Sequence, residues 1–284
     1  MGAEGAHAPK GLYVEARVRT DLDELWRRTQ DPEQHQRWDL RFTRIAYLDG
    51  DGGDGGPRRF TYGVRVLPGL TVSGTGVSAG ERHRPDGTRT SALRFASPHP
   101  LSFIEEGSGY WRYVPCGDGT VRFLTGYGYV PRWGRAGALA DRYALRPLMG
   151  WATAWSFDRL RLWCERGVTP ERALVRALSE AVARLLAVAG AAYGAYGAHG
   201  APSVPSVPSV AAAALVALAA VLLPPLPGTP AARRCLRRAP TGARTRAART
   251  PRAPGTAAHE SRTEPTAPTV PTTPPALLDR LERP

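Results

Sequence analysis

A train of short, strand-like runs, each closed by turn residues and ending in one long helical stretch, limits what this chain can fold into. Residues 12–19 place Leu12, Val14, Ala16 and Val18 on one side of the chain, the period-two pattern of a half-buried strand. Further runs of strand character follow at 40–48, 58–67, 70–82, 89–97, 103–114 and 121–130. The breaks between them include Pro68-Gly69, Pro85-Asp86-Gly87 and Gly117-Asp118-Gly119, which is hairpin and turn chemistry. Between the first run and the rest lie two short helical signals. Thr20 and Asp21 supply an N-cap for a helix with Leu22, Leu25 and Trp26 on one face, and Asp31-Pro32-Glu33 opens a second. Residues 135–166 then read as a long helix whose broad apolar face carries Leu139, Tyr143, Leu148, Ala152, Trp155, Leu162 and Trp163.

Seven antiparallel strands followed by one amphipathic helix predict an α+β domain in which a curved sheet wraps around that helix. A sheet wrapped on a single helix fills incompletely, so a cavity between the two is expected. Alternation selects Phe60 and Tyr62 on one strand and Phe123 and Tyr127 on another as inward-facing, with Trp38 and Trp155 completing the expected ligand-binding set. Trp38 also reads as a core plug between helix and sheet. The small-residue stretch 70–78, with Gly74 and Gly76, either leaves room for a guest or marks a bent strand.

The segment 31–42, DPEQHQRWDLRF, together with this element order, resembles the START-like superfamily of polyketide cyclases and dehydrases, plant pathogenesis-related proteins and lipid-transfer domains. Many members carry a proline followed six residues later by tryptophan after the first helix, and Pro32 and Trp38 match that spacing. The resemblance spans roughly residues 11–165. It implies a helix-grip fold with a deep cavity for a hydrophobic or amphipathic small molecule; it does not imply catalysis.

Were there chemistry, it would come from polar groups inside the cavity. The candidates near the helices are His35 and Asp39, which sit by a helix end and read as capping or solvent-facing, and His83 in the charged run 81–84. On the strands they are Tyr62, Arg94, Tyr110 and Tyr127, together with the adjacent pair Glu105 and Glu106, only one of which can face inward. If Phe103 and Trp111 face inward, Glu105 does too, which makes it the candidate catalytic carboxylate. No dinucleotide fingerprint, P-loop or serine elbow is present, and Cys116, Cys164 and Cys235 form no CxxC and have no partnered histidine. No cofactor and no metal site are expected, and the cysteine pattern fits a reducing compartment.

Past residue 167 the composition changes twice. Residues 168–227 are rich in Ala, Val and Leu, with two apolar runs at 185–198 and 204–226. Arg172, Arg176 and Arg184 precede the first run and Arg233, Arg234, Arg237 and Arg238 follow the second, so a transmembrane hairpin with both ends in the cytoplasm satisfies the positive-inside rule. One span, or a soluble Ala-rich appendage, is the alternative. Residues 228–284 hold eleven arginines against four acids, with few large apolar residues, and read as a disordered tail.

That tail supplies about half of the +13 formal charge, and Lys10 is the one lysine, so the basicity is arginine-biased composition rather than a nucleic-acid surface. Residues 1–10 lack the apolar core of a signal peptide. The expectation is therefore a module at the cytoplasmic face of a membrane, or soluble in the cytoplasm, that binds or carries a lipid, isoprenoid or polyketide. A cyclase or dehydratase, and an adaptor acting through the basic tail, are the alternatives. Oligomeric state leaves no trace in the sequence.

Overall fold

The computed structural model describes residues 11–48, 58–67, 69–200 and 207–239. The expectations for the N-terminal ten residues, for Pro68 and for the tail from 240 onward lie outside them. Strand β1 (Leu12–Arg19) leads into α1 (Leu22–Gln30) and α2 (Pro32–Trp38). Asp21 caps α1 by accepting from the Asp23 and Glu24 amides, and Asp31 caps α2 by accepting from the Glu33 amide, with Pro32 in the first turn. Six strands follow: β2 (Arg44–Tyr47), β3 (Arg59–Leu67), β4 (Leu70–His83), β5 (Arg89–Ala96), β6 (Ile104–Pro115) and β7 (Thr120–Pro131). They form one antiparallel meander, order β1-β7-β6-β5-β4-β3-β2, so the first strand closes beside the last. After β7 come α3 (Gly134–Ala140), a π turn (Asp141–Leu145) and α4 (Arg146–Arg166). This is the helix-grip arrangement that the START-like resemblance implies.

The sheet and α4 are closed against each other at one end only. There Val14, Leu25, Trp38, Phe123, Phe157 and Leu160 form a fully buried core, with the Phe123 and Phe157 rings stacked 4.4 Å apart. Trp38 is its plug: the indole N–H donates to the Arg28 carbonyl at 2.9 Å, so its polar edge is satisfied at no cost to burial. Toward its N-terminus α4 no longer meets the sheet. Leu139, Tyr143 and Leu148, expected on the core-facing stripe, are more than half exposed instead. The helix was also expected to run unbroken, but Pro147 has no amide proton to donate, and the Arg146 amide reaches back five residues to the Asp141 carbonyl.

The C-terminal part departs further from expectation. Helices α5 (Pro170–Gly200) and α6 (Val207–Leu222) pair as a hairpin, but no helix among the described residues is long and apolar enough to cross a membrane. With 16 residues, α6 rises about 24 Å, short of a hydrocarbon core of about 30 Å. The longer α5 carries Arg172, Arg176, Glu180 and Arg184 along its first half. The hairpin's feet are tied together: Arg184 donates to the carbonyls of Ala220, Leu223 and Pro224, and Glu180 accepts from the Leu226 amide. Residues 229–236, which the sequence assigns to the tail, pack on the domain. Ala231, Ala232 and Cys235 are buried, and Leu236 bridges to Glu15 at the free edge of β1. The reason is Asp158 on α4, fully buried, which accepts from the Ala231 amide, Arg161 and Arg234.

Candidate functional site: a cavity beneath the N-terminal half of α4

Where α4 parts from the sheet, a cavity of about 580 Å³ opens between strands β3–β7, the α2–β2 connection and the helix. The strands contribute Phe60, Tyr62, Val72, Phe95 and Tyr127, and the helix contributes Leu148, Met149 and Ala152. Of the residues expected to bind ligand, Phe60, Tyr62 and Tyr127 line it. Trp38, Phe123 and Trp155 do not; they belong to the closed core. The alternation had the face right, but not how far along that face α4 reaches.

The small residues of β4 do not make room for a guest. A side chain on Gly76 would meet the Phe60 ring at 2.1 Å, and one on Gly74 would meet Tyr62 at 2.4 Å, so these glycines accommodate their cross-strand aromatic neighbours. Burial pushes the Tyr62 phenol up to about 12, so it stays protonated as a donor.

One polar cluster stands out among the apolar walls, and the sequence does not announce it. His35 and Asp39 lie one helical turn apart, and Arg41 follows two residues later. Asp39 is wholly buried. It accepts from Arg41 Nε at 2.9 Å, Arg41 Nη2 at 2.6 Å and the Arg41 amide at 3.0 Å, while His35 Nε2 lies 3.1 Å away. Residues 40–43, expected to begin the second strand, are spent on this turn, so β2 starts only at Arg44. Burial alone would raise the Asp39 carboxyl, but the Arg41 charge and the bonds from His35 and Arg41 outweigh it and hold the group well below the carboxylate range. Burial also pushes the His35 imidazole below its usual value against the pull of Asp39, so the ring is neutral near pH 7. The cluster therefore carries no net charge. His35 and Arg41 line the cavity, and the Arg41 guanidinium lies 5.3 Å from the Tyr127 ring centroid.

The remaining candidates lie elsewhere. Glu105 is exposed, because a bulge between Ile104 and Glu106 resets the alternation that was to turn it inward. Glu106 and Arg94 are exposed as well, and His83 sits at a strand end 3.9 Å from Glu81. Tyr110 does line the cavity. Among the described residues that line it, none is a carboxylate.

No family model matches the chain. It is 48% identical over 163 residues to the "Uncharacterized membrane protein YndG" of Bacillus subtilis (strain 168), a match covering 57% of this chain and 60% of that protein. The chain thus spans about 60% of the length of the curated relative it matches. Among solved structures it is similar to the lipid transfer and protein localization domain of human StarD13, at 14% identity over 56% of this chain and 79% of that one, with a TM-score of 0.39. It is also similar to the di-domain ARO/CYC StfQ from the steffimycin biosynthetic pathway, at 12% identity over 55% and 52% of the two chains, TM-score 0.40. A START superfamily protein from Mycobacterium smegmatis matches at 14% identity over 51% and 95%, TM-score 0.35. The fold assignment rests on the strand and helix order described above.

Proposed function

We propose that this chain binds or carries a hydrophobic small molecule (a lipid, isoprenoid or polyketide) in the cavity beneath α4, and that it works at a membrane surface. The cavity carries the reading. Its volume of about 580 Å³ lies within the range of small-molecule sites, and its walls are apolar except for a few placed polar groups. The neutral His35–Asp39–Arg41 cluster and the tyrosine hydroxyls suit one polar group on an otherwise apolar guest. A cyclase or dehydratase that uses Glu105 is not favoured, since that carboxylate faces solvent.

Two observations favour a membrane setting. From Leu185 to Ala232 the chain has no Asp, Glu, Lys or Arg, and the hairpin exposes Leu185, Leu186, Tyr193, Leu215, Leu218 and Val221. The Bacillus relative is named a membrane protein. An apolar hairpin in which no described helix is both long and apolar enough to span, with arginines at its feet, suits insertion into one face of a bilayer.

The test is equilibrium binding of a fluorescent stearic acid to the full chain and to Ala152→Trp, which puts an indole into the void. Saturable binding lost in the variant, with the thermal midpoint retained, is the expected result; equal binding by both places the probe outside the cavity. Fractionation of the full chain tests the setting. Release by carbonate or detergent but not by salt is expected, and a chain found wholly in the soluble fraction refutes the membrane role.

A further inference from the structure

The segment between β7 and the buried half of α4 holds a row of large apolar side chains in water. Trp133, Leu139, Tyr143 and Leu148 are each more than half exposed, as is Leu101 in the facing loop, and Trp151 is 44% exposed. Leu139 and Tyr143 lie one turn apart, as do Leu148 and Trp151. Tyr143 and Leu148 are five residues apart, and the π turn, closed by the bond from the Arg146 amide to the Asp141 carbonyl, takes up the extra residue. The row is therefore continuous along one side of the helix, and at its far end the Trp151 ring stacks on Trp155. A contiguous apolar strip of this kind marks a contact surface rather than scattered exposure.

The strip is held in place from below. Asp141 is buried and accepts from the Tyr129 hydroxyl at 2.6 Å and from Arg146 Nε at 2.9 Å. The Trp133 ring is set edge-on to Phe103, with centroids 5.4 Å apart, and Arg132 donates to the carbonyls of Ser97 and Ser102. Charges of opposite sign border the strip. Arg135 and Arg142 are exposed on the helical side, and Glu105 and Glu106 are exposed on the loop side, just past Phe103.

The chain itself carries a segment of matching pattern. After Leu236 its large apolar residues are Val270, Leu277, Leu278 and Leu281, and three of them fall in the run Ala276-Leu277-Leu278-Asp279-Arg280-Leu281-Glu282. Leu281 is four residues from Leu277 and three from Leu278. In a helix the leucines share one face, with Glu282 on one flank and Arg280 on the other. Pro275, just ahead of the run, suits a first helical turn. Residues 240–275 join the run to the domain, and a flexible chain of that length spans about 30–36 Å, roughly the width of a domain of this size.

We propose that residues 276–282 dock on this strip as a short helix, an internal partner that covers the exposed apolar row. The leucines lie against Leu139, Tyr143 and Leu148, with Glu282 toward Arg135 and Arg142 and Arg280 toward Glu105. The mode is an amphipathic helix laid on an apolar surface. The tether holds the segment at an effective concentration of about a millimolar, so a contact too weak to persist between separate molecules forms within one chain. The contact needs neither a guest in the cavity nor a membrane, and so stands apart from the function proposed above.

The test is photo-crosslinking of the full chain carrying Leu278→p-benzoylphenylalanine. Peptide mass spectrometry after irradiation should place the adducts within residues 133–151 and at Leu101, at a yield that does not change on about tenfold dilution. The same photoprobe at Thr266, upstream of the run, should give only scattered adducts of low yield. The variant Leu139→Glu/Tyr143→Glu, which alters solvent-facing side chains alone, should cut the yield from position 278 about tenfold while the thermal midpoint is retained. Glu282→Arg should also lower the yield, and adding Arg135→Glu/Arg142→Glu to it should restore the adducts. Adducts that join two chains, that scatter as those from position 266 do, or that survive Leu139→Glu/Tyr143→Glu undiminished would each overturn the proposal.

Discussion

Replacing Arg41 by methionine strands a buried carboxylate. Asp39 has no exposed side-chain surface, and two of its four close partners are guanidinium nitrogens of Arg41. Removing one member of such a pair costs about 3–5 kcal/mol, because the remaining charge keeps its desolvation penalty without its compensation. For a domain of this size that is a fall of about 6–20 °C in thermal midpoint, at about 2–4 °C per kcal/mol. The double variant Asp39→Asn/Arg41→Met removes both charges, while the asparagine oxygen can still accept the Arg41-position amide, a bond of 3.0 Å in the wild type. It should therefore regain at least half of that loss, about 1.5–2.5 kcal/mol, which is the least coupling a double-mutant cycle should show. The Arg41→Met penalty should also shrink as pH falls from about 7 to 4, since a proton taken up by His35 or by Asp39 itself neutralises the stranded charge. Urea unfolding of the four proteins at both pH values measures all of this. A loss under about 1 kcal/mol in Arg41→Met, or a double variant no better than the sum of the singles, would mean the pair is open to water and the cavity wall is misassigned.

Two further outcomes follow from the same walls. With the folded-state value of His35 held below its usual value and that of Asp39 below the carboxylate range, the unfolded chain binds protons more readily at both sites. Stability should be full above about pH 6.5 and fall on acidification, first through His35 at no more than about 1.4 kcal/mol per pH unit and then, near pH 4, through Asp39; His35→Gln should abolish the first limb in pH-dependent urea melts. Gly76→Ala should cost about 1–3 kcal/mol and weaken binding of the fluorescent stearic acid, because the new methyl group displaces the Phe60 ring, whereas Gly128→Ala, which meets nothing within 4 Å, should change stability by less than about 0.5 kcal/mol.

The strand order was legible because turn chemistry and period two are local properties, written within a few residues of where they act. The site was legible only in part, and the misses share a cause. Phe123 and Tyr127 lie four residues apart on the same face of β7, yet one is core and the other cavity wall. What separates them is where α4 lies over the sheet, which is a tertiary fact. Glu105 was lost to a bulge, which shifts parity where Ile104 pairs with Pro131 at the end of β7, a cross-strand partner that the local alternation does not reveal. His35, Asp39 and Arg41 could have been noticed as a helix-spaced acid and base followed by a second base. Read locally, such a trio looks like a solvated helix end, and only burial makes it a site.

The tail's first residues were misread for a related reason, and the correction bears on function. A buried Asp158 needs donors, and α4 itself supplies one side chain, Arg161; the others come from residues 231 and 234, about seventy positions onward. Composition marks residues 229–236 as unable to form a core of their own, which is true, but they complete one that already exists. The α5–α6 hairpin is consequently held at both feet, by Arg159 bonding the Pro170 carbonyl where it leaves the domain and by Asp158 where it returns. A flexible linker of similar length would let the domain wander across a range of distances. A hairpin bonded to the domain at both ends instead restricts the distance between the cavity and whatever its arms engage.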